Sequence, residues 1–270
     1  MKTMIRIYTV LVYVFLYLPI AVMILFSFNS INSTGVFGGF SLRWYRELFR
    51  DSETLNALKN SIIMALLSSL IATVVGTAAA VGIDKMRSRW LKSVTLTVTN
   101  IPMVNPEIVT GVSMMLLFVF ASRLVRISGV LGFWTLLIAH VTFNLPYVIL
   151  SVLPKLRQID PHLQEAAQDL GCPPLKSFFL AVFPTIVPGV LTGAIMAFTL
   201  SLDDFVISYF TNGPEFQTLP IRIFSMTKKR VTPDIYSLST MLFAAILLLL
   251  IIINVLQAQS EKQQSKKKYY

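Results

Sequence analysis

The stretch IVPGVLTGAIMAFTLSLDDFVISYF, residues 186–210, decides which solvent this chain is built for. Its only charged side chains are the adjacent Asp203 and Asp204. A bilayer's hydrocarbon core is about 30 Å thick and takes roughly 20 apolar residues as a helix. This run is longer than that, and comparable runs occupy about residues 8–28, 61–83, 94–121, 129–153 and 236–256. Backbone amides in lipid must pair within their own segment, and the alternation that marks a membrane barrel is absent. The expected fold class is therefore all-α, a polytopic membrane protein with six transmembrane helices.

Composition agrees. Of 270 residues, 55% are hydrophobic and 13% charged, against about 45–50% and about 25% in soluble domains. Mean hydropathy is +0.70. With 23 basic and 13 acidic residues the formal net charge is +10, which alone would suggest nucleic acid; the apolar fraction points to a membrane instead. A single cysteine, Cys172, rules out an internal disulfide, and with only His140 and His162 beside it a zinc cluster has no ligand set. Lys2 and Arg6 precede the first run, which is longer than a signal-peptide core and ends in Ser27-Phe28-Asn29 rather than a small-residue cleavage site, so it is expected to remain as a helix.

Six spans put both termini on one side. Cytoplasmic termini place Lys2, Arg6, Lys85, Arg87, Arg89, Lys92, Lys155, Arg157, Lys176, Lys262 and Lys266–Lys268 inside. Outside lie Arg43, Arg46, Arg50, Lys59, Arg123, Arg126, Arg222 and Lys228–Arg230, so totals barely discriminate. The dense 85–92 cluster in a short loop favours cytoplasmic termini. Trp90 and Trp134 suit interfacial anchoring. Residues 41–49 set Leu42, Tyr45, Leu48 and Phe49 at helical spacing, an amphipathic helix for the outer interface.

Between the fourth and fifth runs lies a more elaborate loop, 154–184. Asp160 is placed to cap a helix opening at Pro161, Gly171 to end it in a left-handed turn, and Pro173-Pro174 to turn the chain before a second short helix over Leu175–Phe183. Within it stand Glu165-Ala166-Ala167-Gln168-Asp169-Leu170-Gly171 and, thirteen positions after the glycine, Pro184. This resembles the EAA loop of ABC-importer permeases of the MetI-like family, with Ala181 and Phe183 where the family pattern has Ile and Leu. The resemblance implies that Glu165, Ala166, Ala167, Gly171 and Pro184 form a coupling segment docking into a cytoplasmic ATPase. The chain would then be one permease domain, 1–270. No phosphate-binding Gly-x-x-x-x-Gly-Lys-Ser/Thr loop occurs in the chain, so hydrolysis is expected in a partner. This subunit would carry no cofactor, ATP and Mg being held by the ATPase.

Acidic residues within spans mark pathways by default. Glu107 follows Asn100, Pro102, Asn105 and Pro106, whose prolines are expected to break the third run. Glu107, Asp203 and Asp204 suit a cationic solute, and adjacent helical positions 100° apart should turn one aspartate to the pathway and the other to a neighbouring helix or the interface. His140 and Asn144, four apart, are expected to share a packing hydrogen bond; Gly189, Gly193 and Ala197 form a small-residue stripe for close packing within the subunit.

The stretches Ser201-Leu202-Asp203-Asp204, Asn105-Pro106-Glu107-Ile108-Val109, Leu219–Met226, Gly132-Phe133-Trp134 and Phe198-Thr199-Leu200 are similar to the spermidine/putrescine permeases of the PotC type. That resemblance implies polyamine uptake, with Trp44, Glu107, Ser201, Asp203 and Asp204 along the pathway; Glu107 stands where that family usually has Asp. It also implies a bacterial inner-membrane location and three kinds of partner: a second, PotB-like permease, an ATPase dimer and an extracytoplasmic polyamine-binding protein. Alternatives from the same residues are a permease for another cation or iron, and a proton-coupled carrier using Glu107 and His140. A scaffold or membrane enzyme finds no nucleophile-base set.

Overall fold

The computed structural model describes residues 2–126, 129–160, 162–228 and 232–267, without the side chains of 2, 3, 249 and 252–267. Expectations resting on Pro161, Lys229, Arg230 and Lys268, or on the side chains of Lys2, Lys262, Lys266 and Lys267, lie outside the described residues. Among the described residues the fold is all-helical, with one isolated antiparallel bridge, Asn29 to Phe40, and no strand. The chain divides into two compact units: the part up to Leu58 with Leu219–Ile252, and Lys59–Thr218 with the segment after Ile252.

In the first unit, α1 (Lys2–Ser27) is long enough at about 1.5 Å per residue to exceed a hydrocarbon core. None of its apolar window is buried, which leaves that surface to lipid or partner helices. The loop after it is organised by the buried Asn29. Its Nδ2 donates to the carbonyls of Ser33 and Val36, both at 2.8 Å, and its Oδ1 accepts from the Gly38 amide at 2.8 Å. Asn29's own carbonyl accepts the Trp44 indole N–H at 2.6 Å. Helix α2 (Arg43–Leu48) accordingly buries Trp44 and Leu48, one turn apart, while Leu42 and Phe49 stay exposed. The apolar stripe expected on Leu42, Tyr45, Leu48 and Phe49 is thus rotated, because the largest ring on the helix has both a packing site and an acceptor for its N–H.

Helix α3 (Ser52–Asp84) begins in this unit. Arg222, on α11 (Leu219–Thr227), pairs with Glu53 and, at 3.2 Å, with Asp51. Burial pushes the Asp51 carboxyl up, but hydrogen bonds from the Thr54 hydroxyl, the Glu53 amide and Arg222 outweigh it and hold the group below the ordinary carboxylate value. Leu48, Ala57, Leu219 and Leu238, the last on α12 (Pro233–Lys267), form the core here.

The second unit is built around α6 (Phe133–Leu156), the most buried of the long apolar helices. Val148 on α6 is clamped from two sides. A Cβ on Gly76 of α3 would lie 2.7 Å from the Val148 side chain, and one on Gly193 would lie 3.1 Å from Val148 Cα. Gly193 belongs to α9 (Phe183–Asp203), as does Gly189, where a Cβ would come within 2.8 Å of the Ser151 carbonyl oxygen. The stripe Gly189, Gly193, Ala197 is buried in this crossing, as its spacing suggests.

Two expected helices are divided. The run over 94–121 is split into α4 (Arg89–Val104) and α5 (Glu107–Val125). Pro106 drives Asn105 into extended geometry, ψ 137°, and ends α4. The run over 186–210 is split into α9 and α10 (Val206–Thr211), with Asp204 extended at ψ 124°. Conversely, the second loop helix expected over Leu175–Phe183 is not separate from the fifth span. A short α8 (Pro174–Ser177) passes through a π turn, Phe178–Val182, directly into α9. Pro184 has no amide hydrogen, and its ring crowds the carbonyl four residues back; the wider turn just before it relieves that conflict. Among the described residues, five helices are long and apolar enough to cross a membrane, and Pro233–Leu248 is a shorter apolar one.

Replacing Gly189 by Val should force α6 and α9 apart and cost on the order of 1–3 kcal/mol. A thermal-unfolding midpoint in detergent equal to wild type would contradict this close crossing.

Candidate functional site

The break between α9 and α10 carries the polar chemistry of the second unit. Asp204 ends one helix and caps the next: its Oδ1 accepts from the Ile207 amide at 3.2 Å and its Oδ2 from the Ser208 amide at 2.7 Å. The carboxylate thereby satisfies donors that a helix start leaves free. Its side chain is 5% exposed and lies 3.4 Å from His140 Nε2, itself 2% exposed. His140 bonds to Ser201 Oγ through Nδ1 at 2.6 Å and to Ser208 Oγ through Nε2 at 3.0 Å. Ser201 in turn shares a 2.8 Å hydrogen bond with Ser68 of α3. Close by, Thr135 Oγ1 on α6 donates to the Thr211 carbonyl at 3.0 Å, holding the end of α10. The expected bond between His140 and Asn144 is not formed: His140 spends both nitrogens on α9 and α10, and the buried Asn144 amide has no partner among the described residues.

Asp203 points the other way and is exposed. Glu107 opens α5, where a negative charge suits the helix N-terminus, and is also exposed. Glu107 lies within electrostatic reach of Asp203 and of Tyr147 on α6. What brings the acids together is the packing of α5 on α10, where a Cβ on Gly111 would lie 3.0 Å from the Phe210 ring. Ser201, Asp204 and Asp203 thus gather at one break, with Glu107 near Asp203. Trp44 lies in the first unit, buried, with its N–H bonded to Asn29, so its ring is a packing element there.

Helix α7 (Leu163–Asp169) carries Glu165, Ala166 and Ala167. Ahead of its first residue, Leu163, Asp160 Oδ1 accepts from the His162 amide at 2.9 Å, the kind of contact a capping side chain makes, while the expected opening at Pro161 lies outside the described residues. Gly171 closes it with φ +88°, in the left-handed region its position suggested. Gln164 joins this hairpin to both neighbours, accepting from Nζ of Lys85, the residue just after α3, at 3.0 Å and donating to the Pro174 carbonyl at 3.3 Å. Gln168 donates to the buried Ser177 hydroxyl of α8 at 3.3 Å. Leu170 and Leu175 stand 87% and 76% exposed, an apolar surface left open among the described residues. Glu165 is exposed and bonds His162 Nδ1 at 3.0 Å, which raises the His162 pKa above the ordinary histidine value.

Comparison with known proteins follows from this arrangement of spans, broken helices and loop. The family described as "Binding-protein-dependent transport system inner membrane component" matches residues 72–266. The chain belongs to this family. It is 39% identical over 235 residues to the putrescine transport system permease protein PotI of Escherichia coli strain K12, covering 87% of this chain and 83% of that one. Against the spermidine/putrescine transport system permease protein PotC of Haemophilus influenzae the identity is 38% over 236 residues, with 87% and 89% covered. A chain of the bacterial ABC transporter involved in import of the acidic polysaccharide alginate shares the fold at a TM-score of 0.73 and 14% identity, covering 96% of this chain and 95% of that chain. That transporter has also been crystallised in complex with a periplasmic protein bound to an alginate pentasaccharide. The family resemblance read from residues 165–184 is borne out, and a permease of this family is a transport component, not an enzyme.

Among the described residues, no group of three or more His, Cys, Asp or Glu side chains is placed to hold a metal ion. Sequence reasoning missed Ser68, Ser208 and Tyr147; the serines' only signal was a hydroxyl inside an apolar run. Ser201→Ala leaves a buried imidazole nitrogen and the Ser68 hydroxyl short of a partner and should cost about 1–3 kcal/mol; an unshifted unfolding midpoint would refute the network. For His162, a raised folded-state pKa means the contact with Glu165 stabilises fully below the unfolded pKa and fades as pH rises through the folded one. Glu165→Gln should lower the His162 midpoint in an NMR titration; an unmoved midpoint would remove the contact.

Proposed function

We propose that the chain is the transmembrane permease subunit of an ATP-driven importer of polyamines, working with a second permease, an ATPase dimer and an extracytoplasmic binding protein. The observation that carries this reading is one helical run, Pro174–Asp203, with the coupling hairpin at one end and the acidic break at the other. At about 1.5 Å per residue it is a rod of roughly 45 Å. Movement of α7 in an ATPase cleft is transmitted along a packed helix rather than through a flexible linker, so docking at Glu165, Ala166 and Ala167 reaches the solute site mechanically. Gly171 shapes the hairpin and Pro184 fixes the turn that joins it to the rod. ATP and Mg belong to the ATPase; this subunit needs neither. Both termini face the cytoplasm of a bacterial inner membrane in this arrangement, and the six apolar runs cross it.

Asp203 and Glu107 offer two carboxylates to the ammonium groups of a linear polyamine. Attraction for a cation and repulsion of an anion follow from the same charges. The similarity to putrescine and spermidine/putrescine permeases favours these cargoes over iron or another cation. Trp44 contributes by packing the amphipathic helix α2 of the first unit.

Two measurements test this. In inverted and right-side-out vesicles holding the full complex, Glu165→Lys should abolish ATP-driven uptake while leaving the binding protein's affinity unchanged; retained uptake would defeat the coupling role. Glu107→Gln with Asp203→Asn should raise KM for putrescine and spermidine by roughly tenfold or more, the scale of a lost charged contact. Unchanged kinetics would remove both acids from the pathway.

A further inference from the structure

We propose that His140 is a positioning residue of the solute pathway: it splints the α9–α10 break and holds Asp204, so that Asp203 alone of the two aspartates meets the solute. The inference rests on the transport reading above and goes beyond it by dividing the two acids.

Ser201, Asp204 and Ser208 lie before, at and after the break, and all three turn toward the same imidazole. His140 Nδ1 bonds Ser201 on α9 before the break, and Nε2 bonds Ser208 on α10 after it. One rigid ring on the well-packed α6 therefore fixes the two helix ends against each other. Both Asp204 oxygens are occupied by amides of α10. For Asp204 to bind a solute, it would have to uncap that helix and leave His140 in an apolar interior without its carboxylate. Asp203 carries neither obligation. It is exposed and lies within electrostatic reach of Glu107. Adjacent acids of identical chemistry thus have opposite tasks. His140 touches no solute and acts through Asp204.

Wild-type complex in vesicles, treated with a water-soluble carbodiimide and a charged amine and then mapped by tandem mass spectrometry, reads the division directly. Asp203 should be modified at least about tenfold faster than Asp204, because the buried carboxylate reacts only through local opening. Equal rates would overturn the proposal. His140→Leu should narrow that ratio several-fold; an unchanged ratio would remove His140 from the positioning role while sparing the transport reading. In uptake, Asp203→Asn should change the ratio of spermidine to putrescine transport, since the two cargoes differ in charge. Asp204→Asn and His140→Leu should lower both by one common factor, the double variant no lower than the more severe single one. If Asp204→Asn shifts the cargo ratio as Asp203→Asn does, Asp204 is a ligand and the proposal fails. If the wild type carries neither polyamine, the cargo assignment fails, and the modification ratio still decides the role of His140.

Discussion

A helix cannot stop inside a hydrocarbon layer unless something in the protein takes over the backbone groups it releases. This chain stops a helix within a long apolar run, after Asp203, and the rest of the second unit is arranged around that break. The Asp204 carboxylate accepts the first amides of α10. His140 ties α9 to α10, and Ser68 holds Ser201 from α3. Gly111 lets α5 close against α10. Each of these contacts also fixes where an acid points. The polar groups that make the break tolerable are the ones that make it useful, because a backbone turned aside from the helix axis can present a carboxylate that a straight helix would leave facing lipid.

Between the loop hairpin and this break the structure has the opposite property, continuity. The π turn at Phe178–Val182 accommodates Pro184 without interrupting the helical path, so the run from Pro174, which follows the turn after α7, is unbroken to Asp203. Along that path Gly189 and Gly193 bring α9 against α6 at backbone distance, and Gly76 brings α3 against the same valine. Three helices meet closely where side chains are missing, and such packing leaves little slack between them. Lys85, just after α3, and Ser177 of α8 bind Gln164 and Gln168 of α7, adding a second connection at the hairpin's base.

Much of this was legible in residue order. The apolar runs, the proline-driven break before Glu107 and the left-handed turn at Gly171 follow from bilayer thickness, proline's missing amide and glycine's freedom at positive φ, all of them local. The glycine stripe on α9 also read correctly, since small residues four apart admit only close packing. Misreadings arose where distant partners decide. The apolar face of α2 was rotated by an acceptor fifteen residues away, at Asn29. A second loop helix merged with the span because relief of Pro184 came from a π turn, which has no composition signal. His140 ignored Asn144, its neighbour on the same helix, for serines more than sixty positions on.

By itself the sequence determined that the chain is helical, membrane-spanning and equipped with a loop hairpin of the family's pattern, because helix period, span length and the spacing of a glycine and a proline are properties of neighbouring residues. It also placed a few acids inside apolar runs, where their rarity against a net charge of +10 made them conspicuous. It expected Asp203 and Asp204 to face different ways without giving which faced which. Only the tertiary structure assigned them, since the direction of a side chain at a helix break depends on which group takes the exposed backbone and on what distant residues hold it there. Here Asp204 takes the first amides of α10, an imidazole tied to two serines lies against it, and Asp203 is left exposed.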